Sequence, residues 1–222
     1  VLKGTASELA EIPCADLAVM LVLNPNSVNP FEPVRDEMLT RAKVPMTKEE
    51  VRWVSVARLG VQPGDTVWDV GAGTGAVTFE LARKAMDGAV FAVERNTEAI
   101  ELIAQNRQKL GGFNVHIVQG HAPEVLADLP RPNCVFVGGS GGNMREIIET
   151  ALVKNPKARI AVNAIALETL QETQRLFAEF GLQQVEITQL SAARGKSIGC
   201  YTMMTANNPV FILSGKGDKY GE

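Results

Sequence analysis

Basic charge is in short supply: Lys and Arg number 22 against 25 Asp and Glu, a net charge of −3. A protein that works along nucleic-acid backbones carries a basic excess, so no polynucleotide partner is expected. Cysteine is scarce and scattered, at Cys14, Cys134 and Cys200, with no CxxC pair. An odd, dispersed set excludes a disulfide framework and points to reduced thiols and a cytoplasmic setting. The two histidines, His116 and His121, lack HxxxH or HxE spacing, so no metal is expected. The longest apolar run, Leu17 to Leu23, is far too short to span a bilayer, and the acidic Glu8, Glu11 and Asp16 before it are wrong for a signal peptide. What is present is ordinary globular composition, with a length that suits one α/β domain and a short appendage.

From Thr47 onward, helical and strand-like periods alternate. Thr66–Val70, Val90–Glu94, Val115–Gln119, Cys134–Val137 and Arg159–Ala164 read as strands bounded by Gly, Asn or Pro. Four of the five are continuous apolar runs, as in strands buried on both faces of a parallel sheet. Ile147, Ile148, Ala151 and Leu152 share one helix face; Leu167, Leu170, Phe177 and Phe180 share another, in a helix that Gly181 stops. The fold class is α/β, a doubly wound, mostly parallel sheet. Towards the end, Val185–Leu190 and Tyr201–Thr205 continuing into Pro209–Leu213 read as strands without a helix between them, hence as an antiparallel hairpin. That ending is characteristic of class I methyltransferases and not of dehydrogenases. Residues 1–35 hold one strand candidate, Leu17–Leu23, and then a linker rich in Asn and Pro. The domain spans 36–215, and 216–222 form a polar tail. Trp53, Trp68, Met203 and Met204 are expected in the core, the methionines alternatively at an interface.

The strongest motif is VWDVGAGTG, Val67 to Gly75: a strand running through Gly71, Ala72, Gly73, Thr74 and Gly75 into a helix. Such a loop lets a ligand approach the backbone, and both a nicotinamide dinucleotide and S-adenosylmethionine use loops of this kind. Asp69 separates them. A pyrophosphate over this turn would meet that carboxylate in a low-dielectric crevice, whereas a sulfonium and an ammonium are attracted to it. Glu94 ends the next strand about 20 residues past the first glycine, where an acid accepts ribose hydroxyls in either class. Thr47 opens a T-x-x-E capping box with Glu50, at a helix start able to touch the cofactor. His121 and Ala122 follow the third strand, where an adenine would lie. The cofactor indicated is S-adenosyl-L-methionine.

The segments VPMTKEEVR (Val44–Arg52), VWDVGAGTG, AVERNTEAI (Ala92–Ile100), FVGGSGG (Phe136–Gly142), ARGKS and TMMTANNP (Ala193–Pro209) together resemble the decarboxylating precorrin methyltransferases of cobalamin biosynthesis. The resemblance is to the module that methylates carbon 15 of a tetrapyrrole and removes the ring acetate at carbon 12. It runs from Asp36 to Gly215. It implies cofactor contacts at Thr47, Gly71 through Gly75, Glu94 and Ala122. It also implies a preceding or associated carbon-5 methylase domain, of which residues 1–30 resemble the last segment, and a homo-tetramer. The family pattern Gly-Asp-Ala after the third strand reads Gly120-His121-Ala122 here, so the side chain at this position departs from the family's while the Ala122 backbone contact is retained.

Methyl transfer from a sulfonium asks the protein to align a carbon nucleophile and exclude water. Decarboxylation needs an electron sink, which the conjugated imines of the substrate supply. A polycarboxylate must therefore be placed. Gly139, Ser140 and Gly141 at the start of a helix offer open N–H groups for an anion, or else a turn that permits close packing; Arg145 stands nearby. Arg194 and Lys196, read as lying in a loop between the last strands, are further carboxylate candidates, and Asn163 ends the fifth strand on the ligand side. No Asn/Asp-Pro-Pro-aromatic motif accompanies them, against methylation of base amino groups. No general base is assigned. The alternatives are a methyltransferase of another small molecule or RNA, a nicotinamide dehydrogenase, and a non-catalytic cofactor-binding domain.

Overall fold

A computed structural model describes residues 1–14, 17–23 and 32–218. The elements in chain order are α1 (Ala6–Leu9), α2 (Glu49–Leu59), β1 (Thr66–Val70), α3 (Ala76–Lys84), β2 (Ala89–Glu94), α4 (Thr97–Leu110), β3 (Val115–Gln119), β4 (Cys134–Val137), α5 (Met144–Lys154), β5 (Arg159–Ala164), α6 (Leu167–Glu179), β6 (Gln183–Leu190), β7 (Ala193–Ile198), β8 (Tyr201–Ala206) and β9 (Val210–Lys216). Seven strands form one sheet in the order β3-β2-β1-β4-β5-β9-β6. β1 to β5 are parallel, and β9 is antiparallel to both β5 and β6.

The two-residue period of the central strands sorts the core into two layers. Val67, Cys134 and Phe136 join Leu59, Phe79 and Ile103 on one face. Trp68, Val135 and Val137 join Ile147, Ile148 and Phe177 on the other. Asp69, between Trp68 and Val70, therefore faces the α3 layer, where an apolar residue would be the ordinary occupant. Crossover helices need both faces of the sheet, which is why its middle strands are apolar throughout.

The end of the chain is antiparallel, as expected, but in two separate pairings. β6 pairs with β9, not with the strand that follows it, and β7 and β8 form a separate two-stranded sheet. The expected run through 201–213 is broken at Asn207–Pro209, where Pro209 cannot donate to a ladder. Val210–Leu213 is apolar enough for the interior position between β5 and β6; β7 and β8 stay exposed, Ile198, Tyr201, Met203 and Met204 among them. The methionines are thus not core. Trp68 is buried, while Trp53 is half-buried with its indole N–H donating to Glu80 at 2.9 Å. The candidate strand Leu17–Leu23 adopts no regular structure and is exposed. No helix among the described residues is long and apolar enough to cross a membrane.

Candidate functional site

A cavity of about 630 Å³ lies at the carboxyl ends of the parallel strands. Its wall follows the strand order: Gly120-His121-Ala122 after β3, Glu94 and Arg95 at β2, Asp69 to Thr74 at β1, Gly138 to Gly141 after β4, Asn163 and Ile165 at β5, and Asn207, Asn208 and Val210 leading into β9. Six neighbouring strands at about 4.8 Å spacing extend this row over roughly 24 Å. The segment Lys43–Lys48 forms the opposite wall.

The loop after β1 can take its shape only with glycine at its first, third and fifth positions, where φ is positive. Gly71 has φ +74°, and a Cβ there would stand 2.6–2.9 Å from backbone atoms of Gly139. Gly73, at φ +56°, lies under the Pro45 carbonyl. The two glycine loops pack backbone to backbone; in the first, Gly71 and Ala72 N–H donate to the Val93 carbonyl at 3.0 and 3.1 Å, Gly73 N–H to Glu94 and Gly75 N–H to the Ala72 carbonyl, both at 2.9 Å. Gly139, Ser140 and Gly141 reach the cavity. Asn143 ties their loop to the β3 loop by donating to the Ala122 carbonyl at 3.0 Å.

Asp69 is wholly buried and accepts from Thr78 Oγ1 at 2.5 Å, but its Oδ1 has no donor among the described residues. Burial, aided by the neighbouring Glu94 and opposed by the Thr78 hydrogen bond, pushes its pKa up to about 7. A cation in the cavity would draw off that proton and relieve the buried charge. A diphosphate would raise the cost instead. The residues thus fit a positively charged adenosyl cofactor.

Glu94 is more occupied than its position suggests. Its Oε2 accepts from Gly73 N–H at 2.9 Å, and its Oε1 from the N–H groups of Arg95 and Asn96 at 2.8 and 2.9 Å. Of about four lone-pair sites, one is left for a ribose hydroxyl. His121 stands 3.1 Å from Glu124 through Nδ1 and 3.4 Å from Arg95 Nη1 through Nε2. A guanidinium only donates, so Nε2 is the acceptor and Nδ1 carries the proton toward Glu124.

Thr47 lines the cavity but caps nothing. Lys48 takes the N-cap position of α2 without a side-chain bond, and Glu50 is held by Arg194 at 2.7 and 2.6 Å. The capping box is absent because that carboxylate has a stronger partner. The wall segment is held by two buried side chains that sequence reasoning missed. Arg52, with no exposed surface, donates to Asp36 at 2.8 Å, the Thr47 carbonyl at 2.7 Å and the Val34 carbonyl at 2.5 Å. Asn106 bonds both backbone groups of Thr40 and the Thr74 carbonyl, joining the segment to the glycine loop. Nothing in the string Glu-Glu-Val-Arg-Trp distinguishes a buried arginine from a solvated one.

Three expected carboxylate binders lie apart from the cavity. Arg145 donates to Glu179 at 2.5 Å and lies over the Phe180 ring, on the side of α5 facing α6. Arg194 is in strand β7, not a loop, and reaches Asp36 at 2.9 Å as well as Glu50. Those carboxylates push its pKa further upward. Lys196 is exposed on the same ribbon. Asn163 does reach the cavity, held by Ser55 Oγ at 2.8 Å.

A doubly wound sheet with its reversed strand at β9, a triple-glycine loop and a buried acid beneath it define a class I methyltransferase that uses S-adenosylmethionine. The comparisons narrow this. The model of the precorrin methyltransferase domain matches residues 40–216. A probable cobalt-precorrin-6B C(15)-methyltransferase (decarboxylating) from Pyrobaculum calidifontis is 42% identical over 184 residues, 82% of this chain and 94% of that protein. Precorrin-6Y C5,15-methyltransferase from Geobacter metallireducens superposes with TM-score 0.78 at 35% identity, over 83% of this chain and 96% of that one. Precorrin 8W decarboxylase from Methanobacterium thermoautotrophicum does so with TM-score 0.77 at 38% identity, over 82% and 98%. The chain belongs to the precorrin methyltransferase family.

Proposed function

We propose that this protein methylates carbon 15 of a precorrin and removes the acetate carboxyl at carbon 12, in cobalamin biosynthesis. The observation that carries the reading is the buried, unsatisfied Asp69 carboxyl beneath Gly71–Gly75 in a member of this family. S-adenosylmethionine supplies the activated methyl group. The chain's own residues orient it: Glu94 at the ribose, the Gly71–Gly75 loop, whose glycines admit close approach, beneath it, the Asp69 charge towards the cationic centre, and Ala122 and His121 at the adenine end. Thr47 and the rest of its segment exclude water. Gly139, Ser140, Gly141 and Asn163 border the space left for substrate. As carbon dioxide leaves, the electron pair of the broken C–C bond enters the conjugated imines of the tetrapyrrole, and the remaining methylene carbon then takes up a proton to become a methyl group.

The proposal extends to self-association, for which a two-stranded ribbon with Tyr201, Met203 and Met204 exposed offers an unpaired edge that a second copy would cover, and to a homo-tetramer by the family resemblance. It also extends to a carbon-5 methylase domain, fused or associated. Incubation with late precorrins and the methyl donor, followed by product mass, tests the activity. One methyl gained and one carbon dioxide lost per tetrapyrrole is expected; donor binding without turnover of any precorrin overturns it.

A further inference from the structure

The proposed substrate brings several carboxylates, yet the arginines expected to receive them are engaged elsewhere, Arg194 with Asp36 and Glu50 and Arg145 with Glu179. The cavity's three carboxylates, Asp69, Glu94 and Glu98, all lie at the β1–β2 side, where Arg95 stands as well, while Lys43 and Lys48 come from the segment before α2. At the β5–β9 end the polar groups are Lys48, Asn163, Asn207 and Asn208, with no acid among them.

Packing fixes Lys48 at that end. Val51, one turn further along, clusters with Val210 and Ile212 of β9, so residue 48 lies on the face of α2 turned to the start of β9, and Asn207 and Asn208 line the same cavity. Lys48 forms no ion pair among the described residues. Asn163 meets Ser55 Oγ through Oδ1, a hydroxyl it shares with the Val51 carbonyl at 2.7 Å, and its Nδ2 is buried without an acceptor among the described residues. A buried amide N–H without a partner costs free energy that a ligand oxygen recovers. Donors and a cation at the cavity wall, with the neighbouring carboxylates of Asp36, Glu49 and Glu50 engaged by Arg52 and Arg194, make an environment for an anion.

We infer that the β5–β9 end of the cavity is the carboxylate seat of the substrate. Lys48 supplies the charge, and the amide N–H groups of Asn163, Asn207 and Asn208 supply hydrogen bonds to an acetate or propionate. The inference rests on the tetrapyrrole reading. It adds that the cofactor's cationic centre goes to the Asp69 end and a substrate carboxylate to the Lys48 end. Reacting groups then meet between them.

Steady-state methyl transfer to a late precorrin, with K48R, K48Q, K48E and the double variant N207A/N208A, tests this. K48Q should raise the precorrin KM about tenfold and K48E more, with K48R close to the unaltered protein, as a charge-assisted contact requires. The KM of the unaltered protein should rise with salt, and that of K48Q should rise less. N207A/N208A should raise KM without the salt effect. Affinity for S-adenosylmethionine, read by calorimetry, should stay within about twofold throughout, which also shows that the variants are folded. A precorrin KM within twofold of normal in K48E overturns the seat while leaving the tetrapyrrole reading standing. An unaltered protein that binds the donor but turns over no precorrin overturns both.

Discussion

Asp69 has no exposed surface, shares a 2.5 Å hydrogen bond with Thr78 and lies near Glu94, so burial holds its carboxyl protonated up to about pH 7. A methyl donor bearing a sulfonium and an ammonium favours the ionised form. Binding should therefore expel a proton, and affinity should climb with pH below neutrality. At pH 6 about one molecule in ten carries the charge, so Kd should be about tenfold weaker than on the alkaline plateau, roughly 1.4 kcal/mol. At pH 5 the factor approaches about a hundredfold, provided the bound-state pKa falls below that. Above about pH 8 the donor's own α-amino group loses its proton, which sets the upper limit of the window. The sign for folding is opposite. A carboxyl whose folded pKa exceeds its unfolded one binds more protons when folded. The cofactor-free protein should then lose stability as pH rises from about 4 to 7. Calorimetry in two buffers of different ionisation enthalpy measures both Kd and protons released, with Asp69→Asn as the control. A Kd that changes less than about threefold between pH 5.5 and 7.5, or an unchanged slope in the Asn variant, refutes the reasoning.

Gly71→Ala places a Cβ within 2.6–2.9 Å of the Gly139 backbone at φ +74°. It should cost about 1–3 kcal/mol in thermal unfolding and most of the donor affinity, and a fully active Ala variant would contradict the close loop packing. Arg52→Ala leaves Asp36 and two backbone carbonyls without their buried donor. The expected loss is about 3–5 kcal/mol by denaturant unfolding, with weaker donor binding as the 34–48 segment loosens. Arg194→Ala removes a half-exposed cation from Asp36 and Glu50. Screening limits the expected loss to about 1 kcal/mol, diminishing in high salt. A raised precorrin KM with unaltered melting would instead return that guanidinium to the substrate.

The parts of this molecule that were legible in the sequence are those whose cause is local. Continuous apolar runs bounded by Gly, Asn and Pro mark β1 to β5 because each residue's face is set by the two-residue period of its own strand. The turn at Gly71–Gly75 is marked because only glycine takes its positive φ without cost. Asp69 and Glu94 stand at strand ends, where chain direction alone carries them to the cavity. The ending was less legible: antiparallel pairing was expected, but not that β6 would pass over the nearer strand for β9.

Tertiary structure alone decided which charges meet. Arg145 could face ligand or helix, and the approach of α6 gave it Glu179. Arg194 could be a solvated loop residue, and pairing within the β7–β8 ribbon carried it to Glu50 across 144 residues of chain. Lys48 reads in sequence as one more surface cation, yet the packing of Val51 on Val210 sets it at the cavity wall. Periodicity and backbone strain are properties of a few consecutive residues and are written in their order. The partner of a long charged side chain depends on every element packed around it, and so exists only once the chain has folded.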